Sequence, residues 1–294
     1  MTDAEIKRAI TARIKETIRA IEQHEREYIA RAAKLLGALR LEIIARIAEN
    51  SSEFDASVLR QLKNAIEASL QRFEHDATIA IQQDLRRAFD LGAQLVESPV
   101  AVVNTSSSLV VIDRASILVA AEHSADLIRD LTAEVRTGVN AILRRGLLGV
   151  ISKAEAIKLI GARIDKPGSL FNKPSARAAT IWRTETYRMQ AISTHARMIE
   201  NERLMRGAGY TLKRRWLSAQ DLRVRGRKKT DEFSHALADG QIRAINEPFD
   251  IPILLKGVPV GSEPLEYPRD PNGSPGNTIN CRCLASPVIE RTAA

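Results

Sequence analysis

Two cysteines, Cys281 and Cys283, are the only thiols in the chain, and both lie in the segment NTINCRCLASPV. His235 is the nearest histidine before them. Thiolate and imidazole are ligands that Zn²⁺ prefers, but a closed zinc site takes four ligands. Three candidates without a CxxC partner make an incomplete zinc pattern. We therefore predict no metal and no cofactor, with thiols that pack as small apolar groups, and zinc is the alternative.

The spacing of the two cysteines also bears on their redox state. On an extended segment, side chains at i and i+2 project to the same side, and a disulfide in so short a ring would be strained. We expect reduced thiols, which agrees with a cytosolic protein. Nothing in the sequence indicates the lowered thiol pKa that a nucleophilic cysteine needs.

Other groups that could do chemistry are Arg183 and Glu185, two residues apart, and Asp221 with His235. The first pair would suit an ADP-ribosyltransferase and the second a nuclease, provided that a cleft brings the groups within hydrogen-bond reach. The phosphate-binding lysine loop and the GxSxG, HExxH and GxGxxG motifs are absent. For Glu185 we expect a buried or cap-like salt link to the C-terminal unit, with a catalytic role as the alternative.

A basic stretch from Arg223 to Lys229 places five cations around Gly226. Such a loop can bind phosphate oxygens, so four of its side chains are candidate DNA contacts. The alternative is a solvated charged turn, since acidic residues follow and no aromatic side chain is present to stack on bases. The four candidates are Arg225, Arg227, Lys228 and Lys229.

Composition limits the classes of fold and partner. The chain has 294 residues, of which 44% are apolar and 4% aromatic, and this balance favours packed helices. A net charge of +8 makes DNA a plausible partner. No apolar run is long enough for a membrane span, and the first residues lack the apolar centre of a signal peptide. We expect a soluble intracellular protein with no membrane partner.

Apolar periodicity predicts five helices before residue 210. The first runs from Glu5 to about Glu49 and the second, capped by Asp55 or Ser57, ends near Pro99. A segment of ambiguous structure follows, then a third helix capped by Asp113 or Ser116 that stops at Gly149. Ser152 and Glu155 form a capping box for a fourth helix that reaches about Ile164. The fifth helix follows Pro174 and ends at Gly207 and Gly209.

The helical pattern fades after Tyr210, where TLKRRWLSA is typical of a strand and most of the prolines follow residue 247. We predict a predominantly α fold of the α+β class. Long N-terminal helices form an assembly region over residues 1–150, and residues 151–294 form a compact C-terminal module with a small sheet.

Five fragments of the C-terminal half occur in a distinctive order: ATIWRTETYRMQA, WLSAQDLRVR, HALADGQ, PFDIP and, after a proline-rich run, NCRC. In this succession the chain resembles the phage Mu F-like head morphogenesis family, the minor capsid proteins of tailed phages. The resemblance covers about residues 151–288. The matching positions are Arg183, Thr184, Glu185, Trp216, Asp221, Arg223, Arg225, His235, Asp239, Gly240, Phe249, Asn280, Cys281, Arg282 and Cys283.

The resemblance implies structural roles for these residues. NCRC would be the closing strand of the module, with Arg282 joined to the segment around Trp216 and Asp221. Some relatives carry a CxxC where this chain has the stretch between Arg225 and His235, and that half of a zinc cage is absent here. In its place we expect a hydrogen-bonded cluster of Asp221, Arg223, His235 and Arg282, in which buried charges pair with one another.

The resemblance also implies a function, which is not that of an enzyme, and a location. The protein would join the portal vertex during capsid assembly in the host cytoplasm and remain inside the head of the virion. Its partners would be the portal protein, a capsid or scaffold protein and phage DNA, whose packaging or delivery it would support. The alternative is an enzymatic effector carried in the phage head.

Overall fold

Long helices make up most of the molecule. The computed structural model describes residues 2–49, 56–103, 115–161 and 170–292. Five helices come first: α1 (Asp3–Glu49), α2 (Ala56–Val100), α3 (Ala115–Leu147), α4 (Lys153–Ile160) and α5 (Asn172–Gly207). The later elements are β1 (Tyr210–Leu217), α6 (His235–Ala238), β2 (Ile242–Ala244), β3 (Phe249–Leu255), β4 (Val258–Leu265), α7 (Pro275–Thr278) and β5 (Leu284–Arg291).

The predicted helices and the first strand are confirmed, with small differences at their ends. Pro99 lies inside the last turn of α2. The amide of Glu155 donates to Ser152 Oγ at 3.1 Å, as the capping box requires, but α4 ends at Ile160 because Gly161, with φ 99°, adopts a conformation that glycine tolerates. The predicted cap residues Asp55 and Asp113, and most of the ambiguous segment, lie outside the described residues.

The chain forms two compact units that do not follow chain order. The helical unit comprises residues 26–84 and 121–182, and the sheet unit comprises residues 1–25, 85–120 and 183–294. The described residues of each unit have their own buried apolar side chains. The domain boundary near residue 150 that we predicted from the sequence stays a prediction.

In the helical unit, apolar stripes of the helices are buried together with a few polar links. Leu36, Ile43, Leu70 and Ile81 are each at most 1% exposed. Asp84, which is also buried, accepts hydrogen bonds from Arg31 at 2.6 Å and from the indole nitrogen of Trp182 at 3.1 Å. A buried carboxylate needs such partners to remain charged, so this group helps to fix the packing of three helices.

In the sheet unit, β1 is the central strand of an antiparallel sheet of order β2-β1-β5. A second sheet consists of β3 and β4, joined by a two-residue turn in which Lys256 and Gly257 have φ values of 52° and 85°. Positive φ at both turn positions is the type I′ geometry that suits the twist of a hairpin. Ile10 of α1, Val96 of α2 and Met198 of α5 contribute to the same core as the strands.

Helices α2 and α5 approach closely in the sheet unit. The hydroxyl of Ser193 donates to Phe89 O at 2.7 Å and that of Thr194 to Gly92 O at 3.0 Å. A side chain at Gly92 would meet the carbonyl oxygen of Gln190. The close approach of the two backbones therefore requires glycine at this position.

Among the described residues, no helix combines the length with the apolar character that a membrane crossing requires.

Substitution of Gly92 by alanine should lower the free energy of unfolding by about 1–3 kcal/mol, because the added methyl group overpacks the contact with α5. Gly37 is the matched control inside another long helix, since no described atom lies within 4 Å of the point that an alanine methyl group would occupy. Gly37→Ala should raise the stability by about 0.5–1 kcal/mol, because alanine loses less backbone entropy. Urea unfolding followed by circular dichroism measures both, and equal effects would contradict the close packing at Gly92.

Candidate functional site

Arg214 organises the sheet unit from the middle of β1. Its guanidinium donates to Glu247 O at 2.5 Å, to Ala244 O at 3.3 Å and to Glu266 O. It also lies over the ring of Phe249, 5.2 Å from the ring centre. The residue is 1% exposed. One buried cation thus satisfies backbone carbonyls at the end of β2, in the segment after β2 and in the segment after β4.

Trp216 lies two residues further along the same face of β1 and is completely buried. Its ring packs edge-on against Phe249 at 5.3 Å and against His235 at 5.6 Å between centres. Gly240 follows α6 with φ 82°, and its amide donates to Trp216 O at 2.9 Å. Three of the positions that carry the resemblance therefore form one packed core around the tryptophan.

Arg183 and Thr184, at the start of the α5 segment in this unit, hold the loop that contains Asn280. Arg183 donates to Glu25 Oε1 and to Asn280 Oδ1, both at 2.7 Å. The amide of Asn280 donates to Thr184 Oγ1 at 2.9 Å. Asn280 has φ 59°, a left-handed conformation that asparagine tolerates better than most residues. Arg183 thus forms an ion pair with Glu25.

Glu185 is buried and accepts two hydrogen bonds from Arg188 at 2.8 and 2.9 Å. Asp239 accepts from the Ser218 amide at 2.7 Å and from Gln220 at 2.6 Å, at the turn that follows β1. Each carboxylate is engaged with its immediate neighbours. Their contacts stabilise the local chain rather than point toward a shared cleft.

Asp221 and Arg282 form the ion pair that the resemblance implied. Arg282 donates to Asp221 Oδ2, and Arg223 donates to the same oxygen at 3.3 Å. Although burial raises the pKa of Asp221, the hydrogen bonds from Arg282 and Arg223 outweigh it, so the pKa lies below its ordinary value. The carboxylate is therefore ionised at neutral pH.

His235 does not take part in that ion-pair cluster, contrary to our expectation. Its Nδ1 lies 3.4 Å from Cys281 Sγ and 3.3 Å from Cys283 Sγ, and all three residues are 2% exposed. The position of His235 at the start of α6, beneath Trp216, turns its ring toward the cysteines. The prediction that NCRC is a strand is also wrong, since β5 begins at Leu284. Asn280, with its left-handed backbone, and the two cysteines form the loop before β5.

A chain of hydrogen bonds orients the imidazole. His235 Nε2 lies 2.5 Å from Asn277 Oδ1, and Asn277 Nδ2 donates to Glu263 Oε2 at 2.6 Å. Because Glu263 accepts from the amide nitrogen, the amide oxygen faces the ring, and Nε2 must carry the proton. In the neutral ring the lone pair of Nδ1 then points at the two sulfur atoms, whereas a protonated ring donates to them.

The two thiols differ in their acidity. Burial opposes ionisation of Cys281, but the hydrogen bond from Cys283 and the nearby His235 and Arg269 outweigh it, so the pKa of Cys281 lies well below its ordinary value. Burial raises the pKa of Cys283, and the adjacent Cys281 sulfur raises it further. Cys281 therefore ionises more readily than Cys283.

Arg269 is the buried cation of this second cluster. Its Nη1 donates to Cys283 O at 2.7 Å and to Cys281 O at 3.1 Å, and lies 3.9 Å from Cys281 Sγ. Its guanidinium stacks on Tyr187 at 5.0 Å. The residue is completely buried. It therefore holds the cysteine loop by the backbone and places a positive charge beside the sulfur.

The basic stretch forms an exposed turn. Asp231 Oδ2 accepts from the amides of Gly226 and Lys228 at 2.8 and 3.0 Å, so a carboxylate occupies the amides that could bind phosphate. Arg225 donates to Ile279 O at 2.5 Å. The side chains of Arg227, Lys228 and Lys229 are exposed, and these three remain the candidate DNA contacts.

Sequence reasoning missed four residues that complete the site. Arg214 carried a signal, because it occupies an inward position between Leu212 and Trp216 in an alternating strand, where an arginine must be buried or disrupt the strand. Arg269, Asn277 and Glu263 lie in irregular or exposed segments without periodicity. No pattern in the sequence distinguishes them from ordinary surface residues.

No protein-family model matches the chain, and no solved structure matches it. The chain is 34% identical over 65 residues to the uncharacterized protein YqbB of Bacillus subtilis (strain 168). This match covers 22% of the chain and 19% of YqbB, so the chain matches about a fifth of the length of that relative.

Replacement of Arg214 by methionine should lower the free energy of unfolding by about 3 kcal/mol or more, because it leaves buried carbonyls without donors. Arg215 is the matched control, since it is the next residue of the same strand and is exposed. Arg215→Met should change the stability by about 0.5 kcal/mol or less. Chemical unfolding of the full chain measures both, and a small effect at Arg214 would refute its role as organiser.

His195 should make the stability depend on pH. Burial and the adjacent Arg214, which donates to His195 Nδ1 at 3.2 Å, lower the pKa of His195 to about 4, although Asp270 opposes this effect. His195 is therefore neutral at pH 7, and its 3.6 Å contact with Glu266 is not an ion pair there. The ordinary pKa of histidine is about 6.5.

As the pH falls, His195 is therefore protonated at a higher pH in the unfolded chain than in the folded chain. The free energy of unfolding should fall as the pH is lowered from about 6.5 to about 4, with a contribution from His195 on the order of 2 kcal/mol. His195→Gln should remove this contribution, whereas His75→Gln, at an exposed position, should leave it. Thermal unfolding across this pH range tests it, and an unchanged pH profile in His195→Gln would contradict the assignment.

Proposed function

We propose that the protein is a phage or prophage minor head protein that associates with the portal vertex during capsid assembly and supports DNA packaging or delivery. The observation that supports this proposal is the convergence of the residues that carry the resemblance. Arg183 and Thr184 bind Asn280, Asp221 binds Arg282, and His235 contacts both cysteines. The family positions therefore act on one another, as residues that maintain a fold do.

The geometry favours this architectural role over the enzymatic alternatives. An ADP-ribosyltransferase would need Arg183 and Glu185 to face a nucleotide, but Arg183 binds Glu25 and Asn280 while Glu185 binds Arg188. A nuclease would need His235 and Asp221 in one cleft. His235 is 2% exposed and turned toward the cysteines, and Asp221 belongs to the ion pair with Arg282. These groups have structural partners in place of a substrate.

The long helices supply surface for assembly contacts. Apolar side chains are exposed on several of them, among them Leu41 on α1 and Leu118 and Val119 on α3, which are 57%, 65% and 68% exposed. Exposed apolar residues on helices are a common basis for docking to a larger partner. We propose the portal protein as that partner, with a capsid or scaffold protein as a further contact, and the interior of the head as the location.

Phage DNA is proposed as a contact of the exposed turn that carries Arg227, Lys228 and Lys229. These cations are spaced closely enough to neutralise adjacent phosphates, and such binding is independent of base sequence. Contact of this kind would suit a protein that lies beside packaged DNA without reading it.

A phage in which this gene is interrupted by a stop codon tests the proposal. Particles should assemble with few DNA-filled heads or should deliver DNA poorly, and expression of the intact chain in trans should restore both. In wild-type lysates the chain should co-purify with the portal protein in procapsids. Electron microscopy, portal pull-down and plating efficiency provide the measurements.

Normal heads and normal plating without the chain would exclude the proposal. Turnover of NAD⁺ or cleavage of DNA by the purified full chain, lost in Glu185→Gln or His235→Gln variants that remain folded, would instead establish the enzymatic alternative.

A further inference from the structure

The three candidate ligands that the sequence left incomplete come together in the fold. His235 Nδ1 and the sulfur atoms of Cys281 and Cys283 all lie within 4.8 Å of one another. In a tetrahedral zinc site, Zn–N and Zn–S distances of about 2.0 and 2.3 Å place nitrogen and sulfur about 3.5 Å apart. The observed nitrogen-to-sulfur distances of 3.3 and 3.4 Å are close to this value. The spacing of the donors therefore fits a metal.

The orientation of the histidine fits a metal as well. Asn277 fixes the proton on Nε2, and Glu263 fixes Asn277 in turn. In metal sites, the ring nitrogen that does not bind the ion typically donates to an oxygen of this kind, and the contact fixes both the tautomer and the direction of the ring. The group therefore has such a supporting contact already in place.

A backbone amide and a cation also lie beside the Cys281 sulfur. The amide of Cys283 donates to Cys281 Sγ at 3.4 Å. Arg269 lies beside Cys281. Donors directed at sulfur favour the thiolate, which is the form that binds a metal. A pair of thiols packed only as apolar groups would not need these donors.

We propose that His235, Cys281 and Cys283 bind one Zn²⁺ ion per chain. Two thiolates and an imidazole suit zinc, whereas Mg²⁺ and Ca²⁺ prefer oxygen ligands. Water would provide the fourth ligand, as it does in zinc sites with three protein ligands. Two residues that border the group carry buried donors without an acceptor among the described residues, at the indole nitrogen of Trp216 and at Nε and Nη2 of Arg269. A water ligand would bring an acceptor into this surrounding.

The site goes beyond the proposed function and does not depend on it. A head protein can fold without zinc, and a zinc site can exist in a protein with a different function. Failure of the phage experiment would leave the metal site untouched, and failure of the metal experiment would leave the head-protein proposal untouched.

The experiment uses the full chain, unfolded in a thiol reductant and a chelator and refolded with or without Zn²⁺. Refolding with zinc should give one bound ion per chain, released when the thiols are modified and counted with a zinc dye. The melting temperature should be higher than that of the metal-free chain. With Co²⁺ in place of zinc, sulfur-to-cobalt charge-transfer absorption should appear, which reports the two thiolate ligands without any assay of activity.

Variants assign the ligands and their support. Cys281→Ser, Cys283→Ser and His235→Gln should each lose or markedly change the cobalt spectrum, whereas His123→Gln, at an exposed position on α3, should not. Asn277→Ala keeps all three ligands and so remains informative if the ligand variants fail to fold. It should weaken metal binding by about 10- to 100-fold, and Asn246→Ala, at an exposed position, should leave the affinity unchanged.

Three results would overturn the proposal. The first is a refolded chain that contains no stoichiometric zinc and shows no cobalt charge-transfer band. The second is a band that persists in both cysteine variants, which would place the metal elsewhere. The third is a disulfide between Cys281 and Cys283 in protein taken directly from cells, which would show that the pair has a redox role without metal.

Discussion

The sheet unit depends on the requirement that buried backbone carbonyls find donors. Its segments after β2, after β4 and before β5 are irregular, so strand pairing cannot satisfy them. Arg214 supplies donors to the first two segments and Arg269 to the third. Arginine suits this task because its guanidinium presents several donors in a fixed plane. Each arginine also stacks on an aromatic ring, Phe249 or Tyr187, which keeps the cation in place.

This arrangement explains why residues from distant parts of the sequence meet at one place. Arg269 holds the cysteine loop by its carbonyls, and Asn280 attaches the same loop to Arg183 and Thr184 of α5. The positions of the two sulfur atoms are thus set by contacts to the backbone on both sides. His235 is set independently, by Asn277 and the ring of Trp216. The geometry of the donors is a consequence of the fold and not of a flexible local motif.

The sequence predicted those parts of the fold that depend on local periodicity. The five helices, the capping box at Ser152 and the strand around Trp216 follow from spacing that neighbouring residues reveal. The contact of His235 with the two cysteines could not be predicted in this way, because the cysteines lie 46 and 48 residues away in sequence and irregular segments intervene. We expected His235 to join the cluster of Asp221 and Arg282, because the order of the motifs along the chain does not show how deeply each residue is buried. Burial separates the two clusters: Asp221 and Arg282 retain some exposure, whereas His235 is enclosed.

The burial of these ligands also determines what a bound metal could contribute to the stability of the fold. A link between His235 and Cys281 closes a loop of 46 residues that contains α6, β2, both strands of the second sheet and α7. The entropy that the unfolded chain loses when a loop is closed grows only slowly with the length of the loop. A metal that closes this one loop would therefore stabilise the fold nearly as much as any other cross-link in a chain of this size. Because the ligands exist as a set only in the folded chain, the free energy of metal binding adds to the free energy of folding. A site of this kind would stabilise the irregular half of the sheet unit, which consists of short strands and turns, without the need for a larger apolar core.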